Sequence, residues 1–185
     1  MSYYLIRRAV DADLSQIKKI QDSTHFSTVS EEEKKKEGFI SVQTTINQLR
    51  EINKTCGIIV IEHNSKVIGY ELALTTGYAR KIPLLVPFVE RIMGLTYKKK
   101  PLSKYKFIIE GQINIAKERK GKGLVEKLHK AFIEMLNPKY ELIVTEISDQ
   151  NPRSLHVHIK KLGFEEIDSY NAENRNWYVI AQYIR

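Results

Sequence analysis

Lys120-Gly121-Lys122-Gly123 carries the clearest chemical signal in the chain. Two glycines one residue apart follow an apolar run over residues 107–115 and precede Leu124, Val125, Leu128, Ala131, Phe132, Met135 and Leu136. Those apolar residues recur at helical spacing, so the order is strand, glycine turn, helix. Such an order gathers bare backbone N–H groups and the positive end of a helix dipole at one point, a binding site for phosphate or pyrophosphate. Glycine has a use there, because a Cβ would block close approach of an anion and disfavour the positive φ of a phosphate-cradling turn. The flanking lysines add charge. A plainer reading, a strand-to-helix turn that happens to contain glycine, stands beside it.

The elements that must position this turn can be read along the chain. Residues 4–9 form a strand, and Asp11 or Asp13 caps a helix that runs to Asp22. Ser30 followed by Glu33 has capping-box spacing, and the charges over residues 31–36 pair along a short exposed helix. Residues 42–52, with Ile46, Leu49 and Ile52 on one side, form a further helix. The β runs 57–63 and 66–75 are joined by Asn64-Ser65, which predicts a tight hairpin. Pro83 and Pro87 break up the segment 77–106, leaving a short helix after Pro87 and a loop rich in lysine (Lys98, Lys99, Lys100, Lys104).

The second half continues with the strand at 107–115 and the helix at 124–136, which Asn137-Pro138 stops. Residues 142–147 form a buried strand, parallel to 107–115 through a right-handed crossover. Asn151 caps a helix with Pro152 at its first position and Gly163 at its end. Residues 164–170 and 176–184 close the order as an antiparallel pair around the polar turn 171–175. With neither repeats nor a linker, the 185 residues read as one α/β domain.

Composition narrows the classes. The hydrophobic fraction of 42% and charged fraction of 28% belong to a soluble globular protein. No apolar run approaches the length of a membrane span, and the first residues lack the order of a signal peptide. Cys56 is the only cysteine, which excludes an internal disulfide and a cysteine-rich zinc site and suits a reducing cytoplasm. The net charge of +8 asks for an anionic partner; nucleic acid, acidic lipid and a phosphorylated cofactor all satisfy it.

The run Lys120–Val125 resembles the acyl-CoA-binding motif of the GNAT superfamily of N-acetyltransferases, Gln/Arg-x-x-Gly-x-Gly/Ala, with Lys120 leading and Val125 in the final small position. Asn151, Ser154, His158 and Gly163-Phe164 resemble that family's second signature, an Asn opening a helix, a small residue, a Tyr or His, then Gly-Phe. Gly163 lies one residue further from Asn151 than the usual spacing. Either the helix carries a bulge, or Ile159 takes the functional position of His158.

The resemblance implies the α/β fold (an α+β mixed sheet) of that superfamily: a central twisted mixed sheet, helices on both faces and a splayed parallel strand pair. It implies acetyl-CoA as acyl donor, no metal, and an amine acceptor, with the pantetheine arm along Gln112, Ile113, Asn114 and Ile115. The pyrophosphate would meet the N–H groups of Lys120, Gly121, Lys122, Gly123, Leu124 and Val125, with Lys117 and Arg119 nearby; Asn151, Ser154 and His158 complete the donor site. Attack by an amine with a pKa of about 10.4 needs a base at neutral pH; Glu110 and Glu146 are the two carboxylates placed to serve. A strand N–H near Ile113 would hold the oxyanion, and His158 would protonate the leaving thiolate in place of a tyrosine.

A cytoplasmic N-acetyltransferase is thus the leading expectation, with its oligomeric state open and a homodimer one of the forms it allows. A non-catalytic acyl-CoA-binding sensor keeps the same fold. A nucleic-acid-binding protein is disfavoured, since no such motif is present and no aromatics interleave with the lysines. The acceptor pocket is expected from residues 24–40 and 77–106.

Overall fold

The computed structural model describes residues 3–172 and 174–185. Met1, Ser2 and Glu173 lie outside the described residues, and with them the start of the N-terminal segment and the middle of the polar turn expected over 171–175. In chain order the elements are β1 (Tyr4–Arg8), α1 (Leu14–Thr24), α2 (Glu31–Glu37), α3 (Ile46–Thr55), β2 (Ile58–His63), β3 (Lys66–Leu74) and α4 (Thr76–Ala79). There follow α5 (Val86–Ile92), β4 (Thr96–Tyr97), β5 (Lys100–Pro101), β6 (Phe107–Ile115), α6 (Leu124–Leu136), β7 (Leu142–Ser148), α7 (Pro152–Val157), β8 (Glu165–Ala172) and β9 (Arg175–Tyr183).

The main sheet has the strand order β1-β2-β3-β6-β7-β9-β8, while β4 and β5 pair with each other. β6 and β7 run parallel, with Phe107–Ile109 facing Leu142–Val144. The pairs β1–β2, β2–β3, β7–β9 and β8–β9 are antiparallel. This is the mixed α/β sheet flanked by helices that the order of elements predicts.

The chain packs as two compact units that divide β6 between them. The first runs to Ala73 and resumes over Gly111–Met135. Its core is apolar on both sides of β2, whose Ile58, Val60 and Ile61 are wholly buried with Leu14 and Ile17 of α1, Leu49 and Ile52 of α3, and Leu128 and Phe132 of α6. Asn64 and Ser65 both adopt left-handed backbone, with φ of 50° and 59°, so the expected tight hairpin forms. The Ser30–Glu33 capping box forms too. A second such box, Thr45 with Gln48, starts α3 at Ile46, four residues later than the sequence suggests. Neither Asp11 nor Asp13 caps α1: Asp13 turns back to the Val10 N–H and the Arg7 guanidinium, and Asp11 pairs with Arg50.

The second unit comprises Leu74–Glu110 and Leu136–Arg185. Ile108, Leu142, Ile143, Val144, Val179, Ile180 and Ala181 bury its part of the sheet. Between β3 and β6, Thr75 caps α4 and Pro87 sits in the first turn of α5, where a missing N–H costs nothing. The lysine-rich stretch expected as a loop is instead the β4–β5 hairpin, turned on Lys98 and Lys99 at φ of 47° and 66° and seated on buried Tyr97 and Leu102.

Candidate active site

In the first unit β6 leads straight into the glycine turn. Within β6, Ile115 is buried and Ile113 half-buried, while the Gln112 and Asn114 side chains point into a buried polar network. Gln112 Oε1 accepts from Gln21 Nε2 at 2.9 Å and from the Tyr70 hydroxyl at 2.7 Å, and Gln112 Nε2 donates to the Val42 carbonyl at 2.5 Å. Asn114 Nδ2 donates to Thr24 Oγ1 at 2.6 Å. These side chains are committed to α1, β3 and the segment before α3, so what this stretch offers a ligand is backbone.

After Ala116, residues Lys117–Arg119 make a single 3-10 turn and Lys120 is extended. Gly121 and Gly123 then take left-handed φ of 78° and 67°, and α6 begins at buried Leu124. A Cβ on Gly121 would meet nothing within 4 Å, and one on Gly123 would meet only Glu126 Oε2 at 4.0 Å. The glycines are therefore required by backbone angle rather than by neighbours, and they face open space at the start of a 13-residue helix. The result is an open turn of left-handed glycines leading into a helix N-terminus. Val125 is half-buried within α6 and no part of the turn. With Gly121 and Gly123 as the small pair, the leading place of the acyl-CoA motif falls on Glu118, an acidic residue where the motif has Gln or Arg. Two of the turn's lysines are already engaged: Lys117 Nζ lies 3.0 Å from Glu33 Oε1, and Lys120 Nζ donates to the Glu37 carbonyl at 2.9 Å.

In the second unit the Asn151 cap is present, with Asn151 Oδ1 accepting from the Ser154 N–H at 3.3 Å and Pro152 opening α7. The surplus residue before Gly163 is absorbed as a bulge. α7 passes into one π-helical stretch over His158–Leu162, closed by Gly163 at φ 83° and by the Phe164 N–H donating to the His158 carbonyl at 3.0 Å. The wider turn leaves His158 at 4% exposure, while Ile159 is half-buried and His156 faces solvent. His158, not Ile159, is the residue turned inward.

His158 meets Glu110 there: Nε2 lies 3.2 Å from Glu110 Oε2, and Nδ1 lies 2.8 Å from the Ser154 carbonyl and 3.4 Å from its hydroxyl. A carbonyl only accepts, so Nδ1 carries a proton. One further proton lies between Nε2 and the carboxyl, making either an imidazolium–carboxylate pair or a neutral imidazole–acid pair. Both forms have no net charge, which suits a pair whose side chains are 5% and 2% exposed. The Glu110 carbonyl accepts from the Thr145 hydroxyl at 2.9 Å, one residue past the last parallel pair, Ile109 with Val144.

Glu146 is built differently. Ile109, Val144 and Glu146 share one face of the sheet by alternation, so Glu146 projects from the face opposite to Glu110. Burial raises its carboxyl to about 7, an effect partly opposed by the Tyr170 hydroxyl that donates to it. The Tyr170 hydroxyl is itself pushed above its ordinary value by burial and by that carboxylate. Arg91 of α5 stands 4.7 Å over the Tyr170 ring, pairs with Asp168 and donates to the Ser169 carbonyl at 3.3 Å. Tyr170, Asp168 and Arg91 were not singled out from the sequence. Their only trace is register: Val179 of β9 faces both Glu146 and Asp168, two residues before Tyr170.

No protein-family model and no curated protein matches the chain. Solved structures do, over almost its whole length. An N-acetyltransferase from Staphylococcus aureus superposes with a TM-score of 0.65 at 19% identity, covering 100% of both chains. A putative acetyltransferase from Salmonella typhimurium, solved with acetyl-CoA, gives 0.64 at 15% identity over 98% of this chain and 94% of the other. A putative GNAT-family acetyltransferase from Desulfovibrio desulfuricans gives 0.64 at 13% identity over 99% and 100%. At such identities the likeness establishes the fold, that of the GNAT N-acetyltransferases. Among the described residues no helix is long and apolar enough to cross a membrane.

Proposed function

We propose that this protein is a single-domain N-acetyltransferase that moves an acetyl group from acetyl-CoA to an amine. The observation that carries the reading is the open cradle of left-handed glycines, Gly121 and Gly123, at the start of α6 in a chain with this fold. Backbone N–H groups from Lys120 to Val125 hold the donor's pyrophosphate, assisted by Lys117, Arg119, Lys120 and Lys122. Free backbone groups of Ile113, Asn114 and Ile115 align the pantetheine arm, and Asn151 and Ser154 at the start of α7 complete the donor site.

When bound, acetyl-CoA supplies the acetyl group: the carbonyl carbon passes from sulfur to nitrogen, coenzyme A leaves as a thiol, and the amine loses one proton. Glu146 takes that proton. A carboxyl raised to about 7 is half ionised at neutral pH and holds a proton far better than an ordinary one, which is what a general base needs. The Tyr170 hydroxyl keeps its orientation. The Glu110–His158 pair holds one proton ready for the sulfur, and a backbone N–H near Ile113 stabilises the carbonyl oxygen as it gains charge.

The test follows acetyl-CoA by thermal shift and free thiol release across a panel of amines. At 100 times its Kd the donor should add about 2.7 kcal/mol of stability. Thiol release that depends on an amine supports transfer. Binding without release above hydrolysis would make the protein a sensor, and no shift at all would remove the cofactor.

A further inference from the structure

The loop that follows β6 is tied to α2, a helix that buries no side chain of its own. α2 is seven residues long, too short to persist alone in water, and none of its side chains is buried. Local bonds support it, from the Ser30–Glu33 capping box and the Glu31–Lys34 pair. Its bonds to the β6–α6 loop run through the two lysines already described, Glu33 Oε1 to Lys117 Nζ at 3.0 Å and the Glu37 carbonyl to Lys120 Nζ at 2.9 Å. Gly38, immediately after α2, has φ of 72°, a conformation that leaves the exit of the helix to a glycine.

We propose that α2 is a strap that competes with the donor's phosphates for Lys117 and Lys120, so that coenzyme A binding undocks α2. The proposal rests on reading the glycine turn as the phosphate site. A phosphate diester or monoester brings charge and several acceptor oxygens to the two ammonium groups, which meet an exposed carboxylate at Lys117 and a backbone carbonyl at Lys120. The exposed Lys117–Glu33 pair is of the weak class, which makes it displaceable. Coupling of this kind is reciprocal: whatever loosens α2 tightens coenzyme A, and coenzyme A loosens α2 by the same factor. Because α2 lies within residues 24–40, the segment expected to border the acceptor, donor binding would rearrange the acceptor side first.

Trypsin reads the strap directly, since α2 carries Lys34, Lys35 and Lys36. Saturating coenzyme A is expected to speed cleavage at these three bonds severalfold, mapped by mass spectrometry. Glu33→Gln should speed cleavage without coenzyme A and raise coenzyme A affinity about two- to fivefold, the range of an exposed ion pair. Glu32→Gln, which removes the same charge from the same helix without touching Lys117, should do neither to that extent. Unchanged or slower cleavage with coenzyme A bound, or equal affinities for the two variants, overturns the strap alone. Failure of the unmodified protein to bind coenzyme A overturns the phosphate site and the strap together.

Discussion

The glycine turn at residues 120–123 and the Glu110–His158 pair reach their geometry by opposite routes. The turn is local. Its shape follows from four consecutive residues, it lies exposed, and no neighbour constrains Gly121. The pair joins groups 48 residues apart, is nearly sealed from water, and depends on a π-helical widening to bring its histidine inward. A binding site for a charged, water-soluble group can be local and open. A proton held between two side chains needs exclusion of water, which only tertiary packing provides.

Glu146 belongs with the second kind, and replacing it should give the largest effect. Glu146→Gln is expected to slow acetyl transfer about 100- to 10,000-fold, the range of a lost general base, with acetyl-CoA affinity retained. In the unmodified protein the rate should climb as pH rises through about 7, as Glu146 ionises, and that limb should vanish in the variant. An unchanged profile would transfer the role to Glu110 and bring base and imidazole onto one face.

His158→Leu comes next. It breaks a buried pair and should cost about 3–5 kcal/mol of stability, with most of it recovered in Glu110→Gln/His158→Leu. Chemical denaturation measures this. A loss under 1 kcal/mol would mean that the pair is not the sealed unit described.

The smallest effect is on stability against pH. The Glu146 carboxyl is raised from 4.5 to about 7 in the folded chain, so between these values the folded state binds more protons than the unfolded state. Its contribution to stability is therefore full below about 4.5 and is lost as pH rises through 7. Glu146→Gln should flatten the curve in that window, and an unaltered slope would place the carboxyl in water.

The contrast also explains which parts could be read from the residues in order. The turn, α6, the parallel strand after it and the Asn151 cap each rest on short-range signals, such as glycine spacing, a helical stripe and a cap residue. The surplus residue before Gly163 was visible as a count, but whether it bulges the helix or shifts the register is decided by the packing of His158. Tyr170 under Arg91, and Lys117 on Glu33, leave no mark at short range because their partners are 79 and 84 residues distant. The lysines at 98 and 99 misled in another way, since their charge suggests a loop while their left-handed backbone turns a hairpin.

The central claim is that Gly121 and Gly123 cradle the donor's phosphates, and equilibrium binding of acetyl-CoA to the unmodified protein and to Gly121→Val tests it most directly. Valine has open space at this position but resists φ of 78°, so thermal melting of the variant must be followed alongside. The account expects binding by the unmodified protein, weakened with rising salt, and a loss of at least about 100-fold, close to 3 kcal/mol, in a variant that still melts cooperatively. Equal affinity in a folded Gly121→Val would contradict it.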